Sequence, residues 1–209
     1  MGYKLEINAS NKHIHLDQDD LDKLFGKGYE LTFKKALKQP GQFASEEKVQ
    51  VIGPKGSFPG IRVLGPLRKD TQLELALTDC RQIGIDAPIR ESGNVKGTPG
   101  CRLVGPKGEV ELEYGVIVAK RHAHFSPEDA KEAGVENGQI VKIKIESEER
   151  TTIYDDVVCR VSDSCATEVH VDTDEANAAQ WAAARSAKLL NDGLITPGDK
   201  GDRQFAYPL

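Results

Sequence analysis

The chain has 209 residues, enough to bury a core and to hold one large or two small domains. Its 38% hydrophobic and 29% charged content is that of a globular protein, and no apolar run approaches membrane-spanning length. A net charge of −5 excludes a general nucleic-acid binder, and no signal-peptide core precedes the first strand, so an intracellular protein with no membrane partner is expected.

Near the N-terminus Leu5 and Ile7 alternate with Lys4, Glu6 and Asn8, which predicts a half-buried strand. His13-Ile14-His15 follows, and Asp17 then caps a short helix, Gln18–Phe25, closed by Gly26. Residues 29–37 read as a short extended excursion with Lys34, Lys35 and Lys38 near its end, before a turn at Gln39-Pro40-Gly41. Strands are predicted over 48–52, 61–64 and 71–77, the first two joined by the tight turn Gly53-Pro54-Lys55-Gly56. The same turn returns at Gly105-Pro106-Lys107-Gly108, and the Gly-rich stretch 90–100 between them is predicted to be loop.

After His122-Ala123-His124, Ser126 caps a helix with Pro127 at its first position and Gly134 at its end. Strands are predicted over 140–145, 152–161 and 167–172. Thr173 or Asp174 is expected to cap an Ala-rich helix over 175–190, with residues 193–209 forming a C-terminal tail. Short strands punctuated by Gly and Pro turns point to a mainly β fold of barrels or sandwiches capped by short helices.

Five histidines occur in the chain, and four of them lie in the two H-x-H tripeptides. On a strand, side chains at i and i+2 leave the same face, so each tripeptide aims two imidazoles at one point. Imidazole suits zinc, copper, iron or nickel, whereas magnesium and calcium prefer oxygen, so a transition metal is the expected ligand. One such pair is as often a surface pair; two in a histidine-poor chain favour metal. Both are embedded in strand, histidine pair, N-cap and short helix, which is an internal duplication.

Three protein ligands and an open position is the usual plan of a catalytic zinc site, so each pair needs a partner. Thr71-Gln72-Leu73-Glu74-Leu75 aligns with Thr167-Glu168-Val169-His170-Val171, and Arg62-Val63 with Arg160-Val161. The candidate sets are therefore His13, His15 and Glu74, and His122, His124 and His170. The alignment leaves open whether each set closes on its own metal or the halves trade ligands. A glutamate between two leucines is also how an exposed strand looks. Arg68 stands in the loop before Glu74, and a guanidinium holds phosphate by two parallel hydrogen bonds. The lysines of the excursion could steer the same anion or be solvated surface. Cys80, Cys101, Cys159 and Cys165 show no C-x-x-C spacing and read as reduced, buried or half-buried residues. No serine or cysteine is placed beside a histidine as an activated nucleophile, which disfavours a covalent acyl-enzyme.

The segments A-S-N-K-H-I-H-L, K-Q-P-G-Q-F-A-S-E-E, R-V-L-G-P-L-R, T-P-G-C-R-L-V-G-P, G-V-I-V-A-K-R-H-A-H and E-V-H-V-D-T-D-E-A-N-A-A together resemble the PduL-type phosphate propanoyltransferases. The resemblance implies two β-barrel domains related by internal duplication and capped by short α-helices, residues 1–11 with 119–192 forming one barrel and 12–118 the other. It implies two zinc ions per chain, one held by His13, His15, Glu74 and the sulfur of coenzyme A, the other by His122, His124, His170 and waters. Arg68 would hold phosphate, and coenzyme A contacts would fall on Ser10, Lys35, Arg62, Leu64, His170 and Asn177. The implied reaction interconverts a short-chain acyl-CoA (propanoyl-CoA or acetyl-CoA) and phosphate with acyl phosphate and CoA, by direct attack of phosphate on the thioester.

A homodimer is the expected assembly, and propanediol degradation the implied setting. Family members housed in bacterial microcompartments often carry an amphipathic N-terminal extension, whereas this chain has almost nothing before its first strand. The bacterial cytoplasm is therefore expected, with the microcompartment lumen as the other location. Two further functions share the ligands. A dinuclear metallohydrolase acting on a thioester, ester or amide gives Arg68 and the lysines no role, and a non-catalytic metal-stabilised scaffold would need closed four-ligand sites.

Overall fold

A computed structural model describes residues 3–195 of the protein. Strands β1 (Lys4–Leu5), β2 (Ile7–Ser10) and β3 (His13–His15) lead into helix α1 (Gln18–Phe25). Next come β4 (Phe33–Ala36), β5 (Phe43–Ile52), β6 (Ser57–Gly65), β7 (Gln72–Leu75) and α2 (Leu77–Ile83), then β8 (Ile89–Arg90), β9 (Arg102–Val104), β10 (Glu109–Glu111) and β11 (Val116–Ala119). The second half runs β12 (His122–Phe125), α3 (Pro127–Ala133), β13 (Ile140–Ser147), β14 (Thr152–Val161), β15 (Glu168–Asp172), α4 (Thr173–Ala178), a 3-10 turn (Trp181–Ala183) and β16 (Ala184–Ile195).

The strands form two sheets, one ordered β1-β16-β13-β14-β12-β15-β2 and the other β10-β9-β5-β6-β3-β7-β11-β8, with β4 added on β5. The first sheet is nearly closed, because its two edges are consecutive pieces of one N-terminal segment: Lys4 pairs with Lys188, and Ile7 with Val169. The second sheet keeps β10 and β8 as edges and remains a half-barrel. The mainly β, two-barrel expectation holds in this form, with one barrel open. Each sheet wraps its own core, around Ile14, Leu16, Leu73 and Leu103 in one and Phe125, Ile143, Ile145 and Val169 in the other. Among the described residues, no helix is long and apolar enough to cross a membrane.

Local chemistry fixes the helix ends. Asp17 Oδ1 accepts from the Asp20 N–H at 2.7 Å and Ser126 Oγ from the Asp129 N–H at 3.1 Å, each satisfying a free donor of the first turn. The repeated G-P-K-G turns cap the C-terminal ends of α2 and α1: the Lys55 N–H donates to Ile83 O at 2.9 Å and the Lys107 N–H to Leu24 O at 3.0 Å. Only glycine allows this approach. A Cβ on Gly53 would lie 2.4 Å from Ile83 O, and one on Gly105 2.5 Å from Leu24 O.

The duplication extends to hydrogen bonds. Thr71 Oγ1 accepts from the Asp17 N–H at 3.1 Å and donates to Asp20 Oδ2 at 2.7 Å. Thr167 Oγ1 accepts from the Ser126 N–H at 3.1 Å and donates to Asp129 Oδ2. In each half this lock ties the helix after the histidine strand to the start of the strand that carries the third candidate ligand.

Asp129 also accepts from the Tyr3 hydroxyl at 2.9 Å, which links the closing N-terminal segment to α3. Hydrogen bonds from Thr167 and Tyr3 hold its carboxyl below the usual aspartate range. A carboxyl depressed on folding stabilises the protein above its unfolded pKa, and that stabilisation is lost as pH falls through the folded value. Asp129→Ala should therefore cost about 2 kcal/mol near neutral pH. The gap to wild type should narrow as acid protonates the wild-type carboxyl. Urea denaturation at several pH values checks this, and a gap that stays constant into acid would contradict it.

Two elements differ from the sequence expectation. Residues 175–190 are not one helix: α4 stops at Ala178, and β16 crosses the expected Asn191-Asp192-Gly193 stop. The reason is tertiary. β13 pairs with β14 on one side only, and β16 fills the other while linking it to β1, with Ala187 and Leu189 buried in alternation. Ladder bonds and burial outweigh the helix preference of the alanines. Residues 193–195 of the expected tail thus belong to a strand, and 196–209 lie outside the described residues. The strand expected over 71–77 ends at Leu75, and helix α2 begins at Leu77.

Candidate metal centre

β3 lies between β6 and β7, and β12 between β14 and β15, each parallel to the first neighbour and antiparallel to the second. This register puts His13 opposite Glu74 and His122 opposite His170. Strand alternation brings His15 and His124 to the same faces. The structure therefore gathers both expected sets, and in each the three candidate ligand atoms lie within 4.8 Å of one another. The His170 ring centre is 5.0 Å from those of both His122 and His124, and His13 Nε2 is 3.5 Å from Glu74 Oε2. Glu74 is buried, as is the whole of β7, which removes the exposed-strand alternative for it.

The first histidine of each pair is oriented alike. His13 Nδ1 is 2.8 Å from Asn11 O and His122 Nδ1 is 2.8 Å from Lys120 O. A carbonyl only accepts, so Nδ1 carries the proton and Nε2 keeps its lone pair. Burial pushes His15 and His122 down to about 3, with Arg68 adding to it at His15 and Arg160 at His122. Burial, with His170 and Arg160, takes His124 down to about 4. These three rings are neutral at pH 7, the form that coordinates metal. At Glu74 burial opposes ionisation, but His13, His15 and Arg68 outweigh it and hold the carboxyl below its usual range. The same pairing outweighs burial at His13 and raises it.

The donor sets fit zinc. His15 Nδ1 and His170 Nε2 are buried without a hydrogen-bond partner. His170 Nε2 is 2.7 Å from Glu168 Oε1, close enough for an ion pair but out of line for an N–H···O bond. Buried, unsatisfied imidazole nitrogens are costly unless something takes their lone pair or proton. One set offers two nitrogens and a carboxylate and the other three nitrogens, each one short of tetrahedral zinc.

Both sets open on one cavity of about 410 Å³, which Ser10, Arg62, Leu64 and Arg68 also line. Lys35 and Asn177 do not line it; both are exposed, and the excursion reaches the cavity through Lys38 instead. Arg62 Nη1 donates to Ser45 O at 2.5 Å. Arg68 Nη1 donates to Ser92 Oγ at 2.7 Å, and Ser92 Oγ donates to Glu74 Oε1 at 2.9 Å. Gln72 ties the same loop down, accepting from the Gly93 N–H at 2.6 Å. Ser92 thus positions both Arg68 and Glu74. Sequence reasoning missed it, since its only signal was a Gly-rich loop.

Two further points differ from the sequence alignment. Arg62 pairs with His13, whereas Arg160 pairs with His124, so the two arginines are offset by two residues in the repeat. Arg160 also lines the cavity. Cys165 Sγ lies 3.2 Å from His124 Nδ1, a cysteine–histidine contact that a separation of 41 positions hides in the sequence. All four cysteines are free, three of them buried.

Fold and site together define a mainly β protein of one nearly closed barrel and one half-barrel, with a histidine- and arginine-lined cavity onto which both ligand sets open. The sequence profile of the phosphate propanoyltransferases matches residues 6–182. The chain is 53% identical over 184 residues to a phosphate propanoyltransferase of Leptotrichia buccalis, covering 88% of this chain and 86% of the relative. It is 52% identical over 173 residues to one of Thermotoga maritima (83% and 82% covered) and 51% identical over 175 residues to one of Salmonella typhimurium (84% and 83% covered). The chain belongs to the phosphate propanoyltransferase family, and it is an acyltransferase.

Proposed function

We propose that this protein moves a short acyl group, propanoyl or acetyl, between coenzyme A and inorganic phosphate. The observation that carries the proposal is the opening of both ligand sets and Arg68 onto one cavity. His13, His15 and Glu74 would hold one zinc ion, and His122, His124 and His170 a second. When bound, the ions supply Lewis acidity toward a developing oxyanion and a soft partner for a thiolate. Residues 1–11 with 119–192, and 12–118, are the two domains of this proposal.

The chain's own groups do the rest. Arg68, fixed by Ser92, offers its remaining N–H donors to phosphate in the fork geometry that matches two of its oxygens. A third phosphate oxygen attacks the thioester carbonyl carbon. A C–O bond forms, the C–S bond breaks, and coenzyme A leaves as thiolate, with no change of oxidation state. The thioester end and phosphate would share the cavity of about 410 Å³, with Ser10, Arg62 and Leu64 of its lining as coenzyme A contacts. Joint confinement supplies the proximity contribution to rate.

The Cys165–His124 contact favours a second route through an acyl-cysteine. Against it, burial raises the Cys165 thiol and leaves His124, at about 4, a weak base. The test incubates propanoyl-CoA or acetyl-CoA with the enzyme, with and without phosphate, and traps acyl phosphate. Phosphate-dependent CoA release with trapped acyl phosphate is expected, and Cys165→Ala should retain it. Phosphate-independent release of free acid would instead make the protein a thioester hydrolase. Complete loss of turnover in a folded Cys165→Ala protein would revive the covalent route.

A further inference from the structure

Neither the ligand sets nor the phosphate-holding role of Arg68 uses Arg160. It stands on β14 in parallel register with His124 and lines the same cavity as Arg68. Its side chain is only 23% exposed, and its acidic neighbour is Glu91, with Oε2 3.6 Å from Arg160 Nη2 and a side chain half in solvent. A long ion pair to a solvated carboxylate contributes little, so a mostly buried guanidinium is left with weak compensation for its charge. An anion in the cavity would supply it.

The fold does not require the charge. One step beyond the Ile14↔Val63 pair, the equivalent place beside His15 is filled by Leu64. Adjacent residues of one loop hold the two guanidiniums: Ser92 accepts from Arg68 and Glu91 pairs with Arg160. Arg160 lines the cavity together with Arg68, His122 and His124.

We infer that Arg160 is a second anion-holding residue of this site and binds the inorganic phosphate co-substrate together with Arg68. The choice of phosphate rests on the acyltransferase proposal above. Coenzyme A also carries phosphates, but its long pantetheine arm separates them from the sulfur. A guanidinium in register with His124 is beside the reacting end, not the nucleotide end. Two guanidiniums together can match a dianion that one leaves half neutralised.

The test measures binding of inorganic phosphate to the metal-loaded enzyme by calorimetry, and KM for phosphate and for acyl-CoA, in wild type, Arg160→Gln and Arg160→Lys. Melting temperature and metal content check that the variants fold. In Arg160→Gln, Kd and KM for phosphate should rise about tenfold to a hundredfold. Arg160→Lys should fall between, because it keeps charge and loses the fork. KM for acyl-CoA should stay within about twofold. Wild-type phosphate affinity in Arg160→Gln would overturn the inference. So would a rise confined to KM for acyl-CoA, which would assign the guanidinium to coenzyme A. Failure of the acyltransferase proposal looks different: wild type would bind phosphate, Arg160→Gln would bind it weakly, and no acyl phosphate would form.

Discussion

Arg68→Ala should lower kcat/KM for acyl phosphate formation by about a hundredfold to a thousandfold, the usual loss when a charged donor to the reacting group is removed from an enclosed site. The side chain is partly buried, donates to Ser92 and is close enough to Glu74 to help hold that carboxyl ionised. The backbone of the loop is anchored separately, through the Arg68 N–H to Leu16 O at 2.9 Å, so truncation should leave the loop in place. A melting temperature near wild type, with KM for phosphate raised, is the expected companion result. Arg68→Lys should recover only part of the activity, since an ammonium lacks the planar fork. Near-normal turnover in Arg68→Ala would remove phosphate holding from this residue.

Stripping metal should reduce activity to background, and zinc should restore it. The two ligand sets stand on different sheets and can be lesioned separately: His13, His15 and Glu74 on the half-barrel, His122, His124 and His170 on the closed barrel. Metal analysis should find two zinc ions per chain in wild type and about one in His124→Ala, because losing one of three protein ligands weakens a site by orders of magnitude. Turnover of that variant should be lost despite the remaining ion. An unchanged rate after verified metal removal would contradict the metal assignment altogether.

Much of the site was legible because strand geometry is periodic. Two H-x-H tripeptides, each followed by a cap and a helix, marked the repeat, and a matching Thr-x-x-x-Leu/Val frame marked Glu74 and His170 as equivalent. The antiparallel registers His13↔Glu74 and His122↔His170 express that same spacing in three dimensions. The arginine alignment failed because it compared like residues rather than registers; Arg62 and Arg160 stand beside different members of their pairs. Ser92, Glu91 and Cys165 were not legible, since a loop brings them to partners 18 to 69 positions away and leaves no periodic trace. β16 was misread for the opposite reason. Its alanines carry a strong local helix preference, and only the unfilled side of β13, visible in the folded chain, decides against it. Of the expected coenzyme A contacts, Lys35 and Asn177 lie outside the cavity, Lys35 on an outer strand and Asn177 on the exposed side of α4.

The N-terminal segment that closes the seven-stranded sheet makes the order of synthesis matter. Residues 4 and 5 precede every other strand of their sheet along the chain, yet their neighbours on β16 are residues 187 and 188. Contacts of such sequence separation form late and slowly. The half-barrel with His13, His15 and Glu74 has all its strands by residue 119, whereas the barrel carrying His122, His124 and His170 also needs β16, residues 184–195. If the two ligand sets each hold an ion as proposed, the path of the backbone would complete the first set long before the second, and loading of the two would be separated in time.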